Sequence, residues 1–357
     1  MNISMQIIKL MLQQKFCAIL FIAVISHNLL CAQANKNQTI IKPAKTWLDN
    51  KGNHINAHGG GVLFYNGIYY WYGEHKIAGK SEKDFADGGI HCYSSADLIN
   101  WTDVGIVLGV DYSNSTDDLT YGCLIERPKV VYNNKTQKFI AYFKFYPKGN
   151  GYEVAYVGVA VSESPTGPFK YSHKFLGAGS PKGSGDFSMF TDDNGDLFHL
   201  AVRKPDKVFV ISKMRDDYLL PTTAYKAVNG VDIHTEAPAL IKIGGLYHLI
   251  GSGSSGWKPN TARHYTSQSL MGNWEVQKNP CIGVNTVDSI GSELTFGGQS
   301  SFIIKVDGLE NAFIAMFDIW KPEMPINGKY VWLPMVVKEH KLTINWIDQW
   351  NLSVFKN

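Results

Sequence analysis

The sequence predicts an all-β fold, a five-bladed β-propeller, downstream of a short N-terminal leader. Three observations favour this fold. Short β-branched and aromatic runs bounded by Gly, Asn and Asp dominate the chain. No stretch shows the apolar periodicity of a long amphipathic helix. A hairpin unit also recurs, and Glu126, Asp186 and Glu236 open three of its copies at steps of 60 and 50 residues, the period of propeller blades.

The first 32 residues have the pattern of a secretory signal peptide. Lys9 and Lys15 supply positive charge with no acidic residue, and the apolar run 16–25 is shorter than the roughly 20 residues that span a bilayer. We therefore predict an exported protein, periplasmic or extracellular, without a membrane span. Lipid anchoring through Cys31 is the less favoured alternative, because Leu30 lies where a lipoprotein signal requires a small residue.

The rest of the chain is predicted to be one domain, because no linker divides it. An N-terminal segment, 33–43, precedes a propeller at 44–357. The formal charge of the whole chain is +3, and no basic run indicates a nucleic-acid partner. We expect a monomer that is stabilised by its core, since the three remaining cysteines allow at most one disulfide: Cys92, Cys123 and Cys281.

The five blades are predicted to begin with hairpins whose two β-rich runs are joined by Gly, Asn or Asp turns. These hairpins are expected at 62–72, 130–145, 188–202, 239–251 and 302–320. Outer hairpins follow at 91–108, 157–169 and 263–274. Strands at 331–333 and 342–355 would complete the last blade, and a strand at 39–41 is a candidate for closing the ring.

The three acidic residues are expected to lie close together. The inner strands of a propeller surround its axis, so carboxyl groups that open the inner strands of successive blades converge on one mouth. Clustered carboxylates shift one another's pKa, and this costs free energy. Such clusters are typical of sites for acid–base chemistry or ion binding.

Further motifs occur in order along the predicted propeller. They are HINAHGGG at 54–61, YYWYGE at 69–74, ERPK at 126–129, EAPA at 236–239, GWKPN at 256–260, QSS at 299–301 and YVWLP at 330–334. Together they resemble glycoside hydrolase family 43, the five-bladed propeller hydrolases, and within it the exo-β-1,3-galactanase branch. The resemblance covers residues 44–355, and the ordered set is more specific for the family than for the substrate.

The resemblance implies hydrolysis with inversion, which requires a general acid and a group that activates water about 6.5–9.5 Å away. Glu236 matches the acid, and Asp186 matches the residue that orients the acid and tunes its pKa. Most of the family carries an Asp base in the first blade, but Gly59-Gly60-Gly61 occupies that position here, as in the galactanase branch. Gln299 is implied to hold the water, through hydrogen bonds or an imidic tautomer. Glu126 either binds sugar or is itself the base.

The resemblance also implies four substrate-binding residues: Glu74, Tyr152, Ser255 and Trp257. The predicted substrate is a polysaccharide or oligosaccharide, with release of galactose from β-1,3-galactan or arabinogalactan side chains. No cofactor and no metal ion are predicted. The alternatives are another family 43 specificity, such as α-L-arabinofuranosidase or β-xylosidase, and a non-catalytic carbohydrate-binding propeller. Loss of the usual base favours the last of these, whereas Glu236 and Asp186 argue against it.

Overall fold

The computed structural model describes residues 38–84, 88–113, 116–177, 179–339 and 341–356. The predicted signal peptide and the possible lipidation site at Cys31 lie outside the described residues. Within them the chain is all-β and forms the predicted five-bladed propeller. Helical structure there consists of short 3₁₀ helices at Glu82–Asp84, Ser292–Gly297, Pro325–Asn327 and Leu352–Phe355.

The first four blades are four-stranded antiparallel meanders. Blade I contains β1 (His58–Tyr65), β2 (Ile68–Glu74), β3 (Ile90–Ser95) and β4 (Thr102–Leu108). Blade II contains β5 (Leu124–Asn133), β6 (Lys138–Tyr146), β7 (Tyr156–Ser162) and β8 (Lys170–Phe175). Blade III contains β9 (Ser184–Thr191), β10 (Leu197–Arg203), β11 (Phe209–Met214) and β12 (Pro221–Ala227). Blade IV contains β13 (Thr235–Ile243), β14 (Leu246–Gly253), β15 (Arg263–Ser267) and β16 (Glu275–Gln277).

Blade V has a fifth strand that the sequence did not predict. Strand β17 (Cys281–Ile282) comes first in the chain, and β18 (Val284–Asn285) and β19 (Ile290–Gly291) then form a separate small hairpin. The blade itself contains β20 (Gln299–Lys305), β21 (Phe313–Ile319), β22 (Lys329–Lys338) and β23 (Lys341–Asn345). Strand β17 pairs in parallel with β23 at the outer edge of this blade.

The segments 39–41 and 342–355 differ from the strands that the sequence predicted there. The last strand stops at Asn345, and a 3₁₀ helix follows at Leu352–Phe355. Ile41 forms an isolated antiparallel bridge with Trp350, with N–O distances of 2.7 and 3.0 Å. The segment 39–41 therefore contacts the chain beyond blade V and does not complete a blade.

Large aromatic side chains fill the interface between blades I and V, where the ring closes. Trp71 of β2 packs against Trp332 of β22 with ring centroids 4.6 Å apart, and Tyr330 lies 4.7 Å from Trp71. All three side chains are buried. Cys92, Cys123 and Cys281 are also buried, and no disulfide forms among the described residues.

The innermost strands carry the feature that positions the site. Strands β1, β5, β9, β13 and β20 contact one another in this order around the axis. Each inner strand has a β-bulge near its start, where its register with the next strand shifts. The residues that flank the bulges are His58 and Gly61 in β1, Glu126 and Lys129 in β5, Ser184 and Phe187 in β9, Glu236 and Ala239 in β13, and Ser300 and Phe302 in β20. A bulge bends its strand and re-aims nearby side chains. The residues at the bulges are thereby placed around one end of the axis.

Candidate active site

One end of the axis opens into a cavity of about 250 Å³. Seven of the eight predicted site residues line it: Glu74, Glu126, Tyr152, Asp186, Glu236, Trp257 and Gln299. The other lining residues were not assigned from the sequence: Lys76, Glu82, Arg127, Lys144, Gly256 and Trp320. The cavity is therefore an acidic site, as predicted, but cations lie between its carboxylates.

The structure does not bring Ser255 into this cavity. Its hydroxyl donates to the Lys258 carbonyl at 2.6 Å and accepts from Asn260 Nδ2 at 2.5 Å. These bonds hold the loop that follows β14. The same loop carries Gly256 and Trp257, which do line the cavity, so Ser255 acts here on the shape of the loop.

Arg127 connects four of the five blades. Its Nε lies 3.0 Å from Asp186 Oδ2 in blade III, and Nη2 donates to Gln299 Oε1 in blade V at 2.6 Å. Its Nη1 donates to the Ser300 carbonyl at 3.2 Å, and its backbone N–H donates to Glu74 Oε1 in blade I at 2.8 Å. The guanidinium is buried. Because arginine stays protonated in proteins, this group is a permanent positive charge at the site.

Asp186 is held in its ionised form by two cations. Lys144 Nζ lies 3.0 Å from Asp186 Oδ1, opposite the bond from Arg127, and 2.7 Å from Glu126 Oε2. Burial alone would raise the pKa of Asp186, but Arg127 and Lys144 outweigh burial and hold it well below its usual range. Asp186 therefore remains an anion throughout the neutral and mildly acidic range.

The pKa of Glu74 is shifted in the opposite direction to that of Asp186. Burial raises its pKa to about 7, although Lys76 opposes this effect with an ion pair of 2.6 Å. Glu126 and Glu82 add to the rise through like charge. Lys76 also pairs with Glu82 at 2.8 Å, so this side of the cavity contains an alternating row of two carboxylates and one ammonium group.

Gln299 is fixed in one orientation. Its Oε1 accepts from Arg127 Nη2 and, at 2.9 Å, from Trp320 Nε1, and its Nε2 donates to Ser252 Oγ at 2.8 Å. Arginine and tryptophan side chains can only donate, so the oxygen of the amide must face them. The second N–H of Gln299 has no partner among the described residues and remains available to a molecule in the cavity.

Glu236 has one side exposed to the cavity, as Glu126 does. It lies at the bulge of β13, where Ala237 has a φ of 55°. Its Oε1 accepts from Lys207 Nζ at 3.1 Å, and 19% of its side chain is exposed, towards the cavity. It is thus accessible for proton transfer to a bound molecule.

Two aromatic side chains form the rim of the cavity. Tyr152 is 36% exposed and Trp257 is 40% exposed, whereas most large aromatic side chains of the fold are buried. Tyr152 is supported by an edge contact with Tyr146, with ring centroids 5.0 Å apart. Exposed aromatic faces at the rim of a polar cavity suit ligands with both apolar and polar surfaces.

Within the described ranges, no group of three or more His, Cys, Asp or Glu side chains is arranged to hold a metal ion. In the same part of the chain, the helices are too short or too polar to cross a bilayer. The described residues at the cavity supply carboxyl groups, an oriented amide and fixed cations. An ionised Asp186 and an accessible Glu236 in one cavity are suited to proton transfer at a site where positive charge develops.

Comparisons with known proteins agree with this geometry. The family model described as glycosyl hydrolases family 43 matches residues 61–316. A solved structure of a family 43 β-1,3-galactosidase with galactodeoxynojirimycin is 35% identical over 87% of this chain and 100% of its own, with a TM-score of 0.79. No curated protein matches the chain significantly.

Two further solved structures are similar over most of this chain. An exo-β-1,3-galactanase from Phanerochaete chrysosporium with β-1,3-galactotriose is 29% identical over 88% of this chain and 68% of its own, with a TM-score of 0.76. An exo-β-1,3-galactanase from Clostridium thermocellum is 30% identical over 87% of this chain and 66% of its own, with a TM-score of 0.75. The present chain thus spans about two thirds of these two longer proteins.

Replacing Asp186 by Asn should destabilise the protein in a pH-dependent way. The folded-state pKa of Asp186 lies below that of the unfolded chain, which is about 3.9. The stability from its ion pairs is therefore present above this value and is lost as the pH falls towards the folded-state pKa. Urea unfolding should show a difference between wild type and Asp186→Asn that shrinks as the pH is lowered from about 6 to about 3.

The exposed Asp193 provides the control. Its carboxylate pairs with Lys242 at the surface. We expect Asp193→Asn to change the free energy of unfolding by no more than about 0.5 kcal/mol. A difference between wild type and Asp186→Asn that stays constant over this pH range would show that Asp186 is not held ionised by Arg127 and Lys144.

Proposed function

The chain belongs to glycosyl hydrolase family 43 and is a glycoside hydrolase, and on this basis we propose that it is an inverting exo-β-1,3-galactanase. It would release galactose from the ends of β-1,3-galactan and arabinogalactan side chains. Three similar structures, 29–35% identical, are described as a β-1,3-galactosidase or exo-β-1,3-galactanases. Their similarity to this chain extends over 87–88% of it and so includes the cavity.

The observation that carries the proposal is the size and shape of the cavity. Its volume of about 250 Å³ is below the roughly 300–1,000 Å³ of pockets that hold drug-sized ligands. The segment 75–84 closes one side, because the Glu82 N–H donates to the Pro322 carbonyl at 2.9 Å. Such a cavity suits one terminal sugar ring, with the rest of a polysaccharide outside, on the aromatic rim of Tyr152 and Trp257. This shape supports the removal of terminal residues.

Glu236 is the general acid in this proposal. Hydrolysis with inversion needs a carboxylic acid that protonates the departing oxygen while the sugar passes through an oxocarbenium-like transition state. Glu236 and Glu126 both have an exposed side towards the cavity, and Glu236 is the one that matches the acid of the family. Asp186 supports the reaction electrostatically, because its permanent negative charge favours positive charge on the sugar ring.

Gln299 positions the attacking water. An imidic tautomer would place a hydrogen on Oε1, where Arg127 and Trp320 already donate, so these two groups favour the ordinary amide. The free N–H of the amide can then hold the water. The water becomes acidic as it bonds to the anomeric carbon, and after that bond forms its proton passes to solvent water at the open side of the cavity. Glu126 and Glu74 bind sugar hydroxyl groups.

We also propose that the enzyme acts outside the cytoplasm. The support is the charge and apolar pattern of residues 1–32 and the size of a polysaccharide substrate, which is degraded before uptake. N-terminal sequencing of the protein from culture fractions tests this. A mature protein that begins after Ala32 would agree, and a cytoplasmic protein that retains residues 1–32 would contradict it.

The specificity is tested by the sugars released from defined polymers. β-1,3-Galactan should yield galactose as the only early product, because the cavity accepts one terminal ring. Linear arabinan and xylan should yield no arabinose or xylose above the level of the Glu236→Gln variant. Release of arabinose or xylose faster than galactose would assign another family 43 specificity, and no release from any polymer would favour a binding protein.

Replacing Glu236 by Gln should lower kcat on β-1,3-galactan by about 10²–10⁴-fold, the contribution of general acid catalysis. An aryl β-galactoside with an activated leaving group needs less protonation and should lose less. The exposed Glu275 on strand β16 of the same blade gives a matched control, and Glu275→Gln should retain wild-type kinetics. Equal losses on the two substrates would make Glu236 a binding residue.

Gln299 and Glu126 can be separated by kinetics. If Gln299 holds the water, Gln299→Ala should mainly lower kcat, and Glu126→Gln should mainly raise KM, since sugar binding is then its main role. Both parameters should be measured on β-1,3-galactan over a range of pH. A large loss of kcat in Glu126→Gln with little change in KM would assign the base to Glu126.

A further inference from the structure

Two buried charged side chains lie beneath the cavity and are not used by the mechanism above. Lys129 of β5 and Asp318 of β21 are each 2% exposed. Lys129 Nζ donates to the Gly59 carbonyl at 2.9 Å and to the carbonyls of Arg127 and Pro128 at 3.3 Å. The carboxylate of Asp318 faces the Ser301 hydroxyl and the Gly59 N–H. The Gly59 carbonyl is thus held by a buried cation, and the Gly59 N–H faces a buried anion.

Gly59 is a position where the backbone has little freedom to change. Its φ is +60°, in the left-handed region that favours glycine. A Cβ atom there would lie 2.4 Å from Glu74 Oε1 and 3.4 Å from Arg127 Cγ. Displacement of Gly59 would therefore disturb Glu74 and Arg127 directly. The neighbouring glycines are equally confined, since a Cβ on Gly60 would lie 1.9 Å from the Tyr72 carbonyl oxygen.

The energetic cost of the two charges argues that they have a function. Burial lowers the pKa of Lys129 to about 7, with Arg127 adding to the effect, and burial raises the pKa of Asp318 to about 6 despite the Ser301 hydroxyl and Arg127. Removing a charged group from water costs free energy that its contacts in the protein must offset. The stability of the propeller alone therefore does not account for this pair.

We propose that Lys129 and Asp318 are positioning residues that hold the Gly59 peptide from opposite sides and so fix Glu74 and Arg127 at the floor of the active site. This inference rests on the proposed hydrolytic function. Lys129 acts at two points, because it holds both the Gly59 carbonyl and the Arg127 carbonyl. The Arg127 N–H in turn holds Glu74 Oε1. Three blades are thereby locked together directly below the bound sugar.

Loss of Lys129 should affect catalysis through the groups that Arg127 contacts. Arg127 orients Asp186 and Gln299, so a shift of its backbone moves the anion and the water-positioning amide together. Misplacement of a reacting group by about 1 Å can cost about 10²-fold in rate. Loss of Lys129 should therefore lower kcat as well as raise KM, although neither charged side chain lines the cavity.

The test compares Lys129→Met, Asp318→Ala and Asp318→Asn with wild type, using the polymer that wild type hydrolyses fastest. A wrong assignment of the substrate then does not count against the proposal. Lys129→Met and Asp318→Ala should each lower kcat/KM at least about tenfold. Asp318→Asn keeps an oxygen that accepts from the Gly59 N–H and should recover most of this loss. Lys305→Met is the matched control, because Lys305 lies at the far end of the axis, on the opening below the site.

A double variant distinguishes positioning from general stabilisation. Both residues act through Gly59, so Lys129→Met combined with Asp318→Ala should be no more than about threefold worse than the poorer single variant. Additive losses in log(kcat/KM) would overturn the proposal, as would a folded Lys129→Met within twofold of wild type. If Lys129→Met does not fold, equal losses in Asp318→Asn and Asp318→Ala would overturn it, and recovery in Asp318→Asn would support it.

Discussion

The Arg127 guanidinium is the group on which the rest of the site depends. It is buried and permanently charged, and through it Asp186 is kept ionised and Gln299 is kept in one orientation. Removal of one partner from a buried ion pair leaves the other charge uncompensated, which typically costs about 3–5 kcal/mol. Lys144 also compensates buried negative charge, since it forms ion pairs with both Asp186 and Glu126. The acidic cluster is stable because Arg127 and Lys144 form ion pairs with its carboxylates.

The second constraint on the site is a strained backbone conformation at two of its inner strands. Arg127 and Ala237 have φ values of 51° and 55°, in a region that costs free energy for residues with a Cβ atom. Both lie at bulges directly after an acidic residue of the site, Glu126 or Glu236. The bulge re-aims these side chains towards the axis. The propeller core, including the aromatic contacts between blades I and V, supplies the stability that offsets this strain.

Much of this could be predicted from the sequence, because hairpins depend on local turn chemistry and strand patterning, and inner strands begin at the axis. That reasoning placed Glu126, Asp186 and Glu236 in one cavity. It did not identify Lys76, which pairs with the nearby Glu74, or Lys144, which is the cross-strand neighbour of Glu126. The pair of Lys144 with Asp186 in the next blade could not be predicted, because contacts between distant parts of the chain leave no local pattern. The parallel strand β17 and the contact of the segment 39–41 beyond blade V were missed for the same reason. Ser255, assigned by resemblance, has its hydroxyl committed to its own loop.

The central claim is that a water molecule held by an amide, without a carboxylate nucleophile, attacks the sugar from the side opposite to Glu236. Proton NMR of the first galactose released from β-1,3-galactan tests it most directly, provided that spectra are recorded before the product mutarotates. Inversion at a β-linkage predicts α-galactose as the initial anomer. Initial release of β-galactose would require a covalent intermediate on a carboxylate and would contradict the account.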